Sequence, residues 1–105
     1  MKLKRERLDK DYGFIDYHYS ISKKYPQGVL VFMGSFIQPN LRGKGLFKGL
    51  VKELFEMFPN GTEVQAAVAN KFLINFFKRM GFEETDRIEY WGKPENAINL
   101  KGYIL

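Results

Sequence analysis

Between residues 14 and 22 the chain alternates. Ile15, Tyr17, Tyr19 and Ile21 share one parity, and Asp16, His18, Ser20 and Ser22 share the other. That period of two predicts a half-buried strand. Residues 2–8 ahead of it read as a charged edge strand, followed by a turn through Asp9, Lys10, Asp11 and Gly13. Tyr25-Pro26-Gln27-Gly28 is a turn signal. Residues 29–37 are then almost continuously apolar, as in a strand covered on both faces. At Leu46 the period changes to three and four: Leu46, Phe47, Leu50, Val51, Leu54, Phe55 and Phe58 line one helical face, with Lys48, Lys52, Glu53 and Glu56 on the other. Pro59-Asn60-Gly61 ends that helix. Val64, Ala66 and Val68 alternate through residues 63–69, which suits an interior strand. Phe72, Leu73, Phe76, Phe77 and Met80 then repeat at helical spacing up to a stop at Gly81. Residues 83–91 and 99–105 are predicted closing strands, separated by Gly92, Pro94 and Asn96. The order β-β-β-α-β-α-β-β predicts an α/β (α+β) fold with a mixed sheet.

Length changes this picture little: 105 residues make one domain, 1–105, with room for one core and one site. Charge matters more. Seventeen basic against twelve acidic residues give +5, which excludes an acidic solvating tail and permits an anionic partner. The absence of cysteine removes disulfides, thiol catalysis and cysteine-ligated metals, and a single histidine, His18, argues against a histidine metal site. The charged N-terminus lacks the apolar run of a signal peptide, and no stretch of about 18 apolar residues is present to span a membrane. A soluble, cytoplasmic protein is expected. Ten Phe and six Tyr could stack on bases, but most Phe positions fall on apolar helix faces and a buried strand, where they serve the core.

The chemistry concentrates in Gln38-Pro39-Asn40-Leu41-Arg42-Gly43-Lys44-Gly45-Leu46-Phe47, at a strand-to-helix junction. Two residues without Cβ let the backbone curl so that successive N–H groups point into one concavity. The positive end of the following helix and the charges of Arg42 and Lys44 add to that field. The site suits a phosphate or pyrophosphate. It is not a Walker loop, because Lys44 is followed by Gly45 rather than Ser or Thr. Nor is it a G-x-G-x-x-G dinucleotide turn, because position 48 is Lys and Gly49 falls one residue late.

In this segment the chain resembles the GCN5-related N-acetyltransferases (GNAT), whose acyl-CoA signature is Arg/Gln-x-x-Gly-x-Gly/Ala after a strand. A second motif agrees in spacing: Asn70 lies seven residues before Phe77, where the family carries an aromatic, usually Tyr, and Gly81-Phe82 follows four residues on. The resemblance covers residues 28–91 and implies a mixed, mainly antiparallel sheet and transfer of an acetyl group from acetyl-CoA to a primary amine, on a small molecule or a protein. It departs at Phe47, where the family has Gly or Ala; the bulky ring would either narrow the cradle or point into the core. It departs again at Phe77, which has no proton to give a departing thiolate. Only 28 residues precede the apolar strand, where family members usually fit a strand and two helices.

The resemblance implies roles residue by residue. Arg42, Gly43, Lys44, Gly45, Leu46 and Phe47 would offer mainly backbone N–H groups to the CoA pyrophosphate. Phe36 and Ile37 would pair their main chain with the acyl and pantetheine amides where neighbouring strands splay. Asn70 would hydrogen-bond the pantetheine arm, or cap the second helix, and Phe77 would pack around the thioester. For a general base, His18 has a suitable ordinary pKa and Asp16 shares its strand face; Glu83, Glu84 and Glu89 are no better placed. No metal is implied. The stripe Asp16, His18, Ser20 and Ser22 suggests an uncovered sheet face that pairs with a second subunit as a homodimer. Two alternatives stand beside this reading: a non-catalytic CoA-binding or interaction module, and a nucleic-acid-binding protein using Lys2, Lys4, Arg5 and Arg7.

Overall fold

A two-residue turn, Asp11-Tyr12, closes the first hairpin between β1 (Glu6–Lys10) and β2 (Gly13–Ser20), with Lys10 opposite Gly13 and Glu6 opposite Tyr17. The computed structural model describes residues 3–86, 88 and 96–105. Asp9 and Lys10, expected in the turn, instead extend the strand, because Phe14 and Gly13 are there to pair with them. β2 ends at Ser20, so Ile21 leaves the alternation and stands 66% exposed.

β3 (Val29–Ile37) runs antiparallel to β2, and α1 (Leu46–Glu56) carries the chain to β4 (Glu63–Val68), parallel to β3. α2 (Lys71–Arg79) follows, then β5 (Glu83–Glu84) and β6 (Ile98–Tyr103). The predicted strand over 83–91 is therefore two residues long among the described residues; Glu89 and Tyr90 lie outside them, as does Lys2. The sheet order is β1-β2-β3-β4-β6-β5, with β6 antiparallel to both neighbours. The expected mixed, mainly antiparallel sheet is present. Both crossovers, through α1 and through α2, advance in the same direction across the sheet. Right-handed connection then puts both helices on one face. Their contact agrees with this, since the Phe47 ring meets Phe72 at 5.8 Å and Phe76 at 4.9 Å, both edge-on.

Beneath the helices lies one core: Ile15 and Tyr17 of β2, Leu30 and Phe32 of β3, Leu50, Val51 and Leu54 of α1, Val64 and Ala66 of β4, Phe76 and Phe77 of α2, and Leu100 of β6. Burial of a side chain such as Leu50 or Leu54 contributes about 1.5–3 kcal/mol. α2 is delimited at both ends. Asn70 caps its start, and Gly81, at φ 96°, ends it, with Gly81 N–H donating to Lys78 O and Phe82 N–H to Phe77 O.

The opposite face differs from the expected open polar stripe. Asp16 is only 2% exposed, because Arg5 and Arg7 reach over from the β1 side and hold its carboxylate.

Candidate functional site

The loop after β3 is tied down before it reaches the helix. Gln38 N–H donates to Tyr12 O and its side-chain amide to Asp11 O, both at 2.9 Å. Pro39–Leu41 forms one 3-10 turn, and Arg42 Nε donates back to Ile37 O at 2.9 Å. Gly43 and Gly45 then adopt φ of 80° and 78°, the left-handed region that a side chain resists. A Cβ built at either position would meet no atom within 4 Å, so both open onto free space.

Gly45 begins α1 without any side-chain cap, and the first turn holds no acidic residue. Gly49 N–H, bonded to Gly45 O at 3.1 Å, is the first helical amide to find its carbonyl. Among the described residues the N–H groups of residues 43–48 have no acceptor. These open donors, the positive end of α1 and the nearby Arg42 and Lys44 make a concavity suited to an anion. Phe47 does not narrow it, because its ring is turned into the aromatic cluster of Phe32, Phe72 and Phe76.

Beside this cradle the sheet splits. β3 and β4 pair from Val29↔Glu63 to Phe32↔Ala66 and no further, although β3 continues to Ile37 and β4 to Val68. The cause is in β3. Tyr17 faces Phe32 while Asp16 faces Gly34, so Met33 is an extra residue, and such a bulge increases local twist and bends the strand away. Beyond Phe32 and Ala66 the two strands are unpaired, which leaves a gap between them on the side of the glycine turn.

Which backbone groups face the gap follows from alternation. Gln38 bonds toward the β2 side, so Phe36 and Gly34 do likewise, and Ser35 and Ile37 turn toward the gap. Ile37 thus turns its main chain toward the gap, whereas that of Phe36 turns toward β2; Ser35 takes the place expected of Phe36, a shift invisible until the bulge is known. The Phe36 ring is exposed, stacked on Phe14 at 6.0 Å, with Arg42 5.7 Å from its centroid.

Asn70 acts as a helix cap: its Oδ1 accepts from Phe72 N–H at 2.7 Å and from Leu73 N–H at 3.4 Å. Its Nδ2 makes no hydrogen bond among the described residues and remains a donor. Phe77 is 1% exposed, with Phe32 at 5.3 Å and Phe82 at 5.0 Å, so it packs the floor.

His18 Nδ1 lies 2.8 Å from Lys4 O and must donate to it, which leaves Nε2 as the ring's acceptor, but on β2, across β3 from the gap. Asp16 accepts from Arg7 Nε at 2.7 Å and from Arg5 Nη1 at 2.8 Å. The hydrogen bond from Arg7 is the largest influence, and with the bond from Arg5 it outweighs the opposing effect of burial and holds the carboxyl below its ordinary range. A carboxylate held ionised this way is a poor proton acceptor at neutral pH. Glu83 and Glu84 sit on the outermost strand, away from the gap, with Glu84 paired to Lys78 at 3.0 Å. Much of the basic N-terminal segment is spent internally, on Asp16 and on the Lys4–Glu6 pair at 3.3 Å.

No protein-family model matches the chain. Among curated proteins it is 34% identical over 82 residues to the peptidyl-lysine N-acetyltransferase YjaB of Salmonella typhimurium, covering 71% of this chain and 56% of that one. It is 33% identical over 60 residues to the uncharacterized N-acetyltransferase MJ1207 of Methanocaldococcus jannaschii, over 53% of this chain and 26% of that one. The chain thus spans between a quarter and little more than half of these relatives. Among solved structures, Arabidopsis thaliana Naa50 in complex with the bisubstrate analogue CoA-Ac-MVNAL superposes with a TM-score of 0.66 at 22% identity, over 87% of this chain and 64% of that one. Arabidopsis thaliana NAA60 in complex with acetyl-CoA gives 0.65 at 17% identity, over 89% and 66%. At these identities the structural matches establish the fold.

Proposed function

The chain belongs to the GCN5-related N-acetyltransferase family, and from that premise we propose that it binds acetyl-CoA and transfers the acetyl group to a primary amine on a peptide or protein. The observation that carries this reading is the junction of two features. The gap between β3 and β4 opens directly beside a cradle of unbonded N–H groups at the start of α1. One extended ligand with an anionic middle and a hydrogen-bonding arm fits both at once.

In this reading residues 43–48 hold the pyrophosphate, mainly through the main chain. The arm lies in the gap as a substitute strand, pairing with Ser35 and Ile37 on one side and reached by Asn70 Nδ2 at the start of α2. The amine nitrogen attacks the thioester carbonyl, and a backbone N–H on the open side of β3 stabilises the oxygen that becomes negative. Collapse breaks the C–S bond, and the thiolate leaves and takes up a proton. Phe77 cannot supply it, Asp16 is held by its two arginines, and His18 lies on β2, across β3 from the gap. The proton released by the amine therefore passes through water, and catalysis rests on holding donor and amine together. The amine class is supported by the names of the relatives, one a peptidyl-lysine enzyme and one a complex with a peptide-bearing analogue. A cytoplasmic setting remains part of the proposal.

A second reading, CoA binding without transfer, has one observation in its favour: Phe77, fully buried among rings, leaves the thiolate no phenolic donor. Titration calorimetry with acetyl-CoA, followed by thiol release against lysine-containing and free-N-terminus peptides, separates the two. Binding with turnover supports transfer, and binding without turnover on any amine supports the second reading. No binding of acetyl-CoA refutes both.

A further inference from the structure

β1 is the outermost strand on its side of the sheet, paired with β2 along one edge, and among the described residues no strand pairs with its other edge. We propose that two copies of this chain join through β1, antiparallel about a two-fold axis at Leu8, into one continuous sheet. The surface is separate from the cradle and the gap, so the proposal does not depend on the chemistry performed there.

The sequence of the strand, read against its own reverse, carries the inference. With Leu8 opposite Leu8 of the second copy, Glu6 meets Lys10 and Arg7 meets Asp9. One step outward, Arg5 meets Asp11. Every charge faces its opposite, and symmetry makes each pair occur twice. Within one copy, Asp9 and Asp11 form no ion pair among the described residues. Leu8 is partly buried against the core, so the seam has an apolar centre on the helical side.

The backbone selects the same register. The two-residue turn makes Lys10 and Gly13 a hydrogen-bonded pair, so Leu8 and Glu6 also spend their N–H and C=O groups on β2. Arg7 and Asp9 therefore point theirs outward. An added antiparallel strand must match these two with its own outward pair, and the Leu8-centred register does so. Sliding by two residues either way puts Arg7 against Arg7 or Asp9 against Asp9. A parallel, in-register copy puts every charge beside its like. Charged edges commonly serve to repel strands, but repulsion alone gives no reason for an order that complements its own reverse.

Sedimentation velocity across a concentration series tests the proposal, with Glu6→Lys, Lys10→Glu and the double variant, each checked by circular dichroism. The parent should sediment as a species of twice 12.3 kDa at high concentration. Each single variant places like charges opposite one another at two symmetric points and should weaken dimerisation on the order of tenfold or more. The double variant should restore it. An equimolar mixture of the two folded single variants should form heterodimers, since one then carries two lysines against two glutamates. Lys10 also pairs with Glu53 at 2.6 Å, and the mixture and the double variant separate loss of that bridge from loss of the interface. A parent monomeric throughout, a dimer indifferent to both substitutions, or singles that fail to rescue each other would each overturn it.

Discussion

Replacing Gly45 by alanine separates the cost of a backbone conformation from the cost of filling the cradle. The added methyl meets no atom within 4 Å, so nothing in the protein has to move. What remains is φ of 78°, a left-handed conformation that costs a non-glycine residue about 1–2 kcal/mol. For a chain of 105 residues, with an unfolding entropy of about 2.1 cal/mol/K per residue, that lowers the melting temperature by roughly 5–9 °C. The chain should therefore stay folded. The methyl points into the space where the anion would approach the N–H groups of residues 43–48. Loss of two hydrogen bonds to a charged group, at about 1.5 kcal/mol each, is about 3 kcal/mol. CoA affinity should then fall on the order of a hundredfold. Gly49→Ala is the matched control. It sits inside α1, its methyl also meets nothing within 4 Å, and a helical Gly→Ala change should stabilise by about 0.5–1 kcal/mol. Its CoA affinity should equal the parent's. The assay is calorimetry with CoA on both proteins, alongside thermal melts. A folded Gly45→Ala protein that binds CoA as tightly as Gly49→Ala would show that the cradle is not the pyrophosphate site.

Phe77→Tyr places a hydroxyl in a cluster of rings, and unless that oxygen reaches the gap it should cost about 1–3 kcal/mol in a urea melt; a rise in turnover without loss of stability would mean that the hydroxyl reaches the thiolate. Asn70→Ala should lose about 0.5–2 kcal/mol of capping, whereas Asn70→Asp keeps the cap acceptor and loses the Nδ2 donor. If Asn70 also holds ligand, the second variant should melt like the parent but bind CoA more weakly, and equal affinity would reduce it to a cap. Asp16→Asn should destabilise the protein by about 1–3 kcal/mol at neutral pH, less than a fully buried pair because both arginines are half exposed. Since folding lowers the Asp16 pKa, its contribution is complete above the unfolded value near 3.9 and disappears as pH falls through the lower folded value. The stability gap between parent and variant should close across that acid range, and a gap independent of pH would sink the assignment.

Element types were legible in the residues because burial imposes periods that backbone geometry alone sets. Phe72, Leu73, Phe76 and Phe77 can share a face only on a helix, and Val64, Ala66 and Val68 only on a strand. The glycine turn was legible for a related reason: Gly43 and Gly45 tolerate positive φ, and a helix start with neither cap nor acid leaves its amides open. Likewise Asn70, seven residues ahead of Phe77, marks the start of α2 by its side chain alone.

Other features exist only once strands lie side by side. Nothing local distinguishes Met33 from its apolar neighbours; it becomes a bulge because Tyr17 and Asp16 claim Phe32 and Gly34 on either side of it. That pairing opens the gap and turns Ser35, rather than Phe36, toward it. Asp16 and His18 looked available from their parity, yet parity says only which face a side chain takes. Whether that face is open depended on the N-terminal segment beside β2, which brings Arg5 and Arg7 onto Asp16 and the Lys4 carbonyl onto His18. Phe47 and Phe77 followed the same rule, since only the packing of α1 against α2 decided that both rings face the aromatic core. Periodicity is a property of one segment and can be read along the chain, whereas register and cover are relations between segments, fixed only when the chain closes on itself.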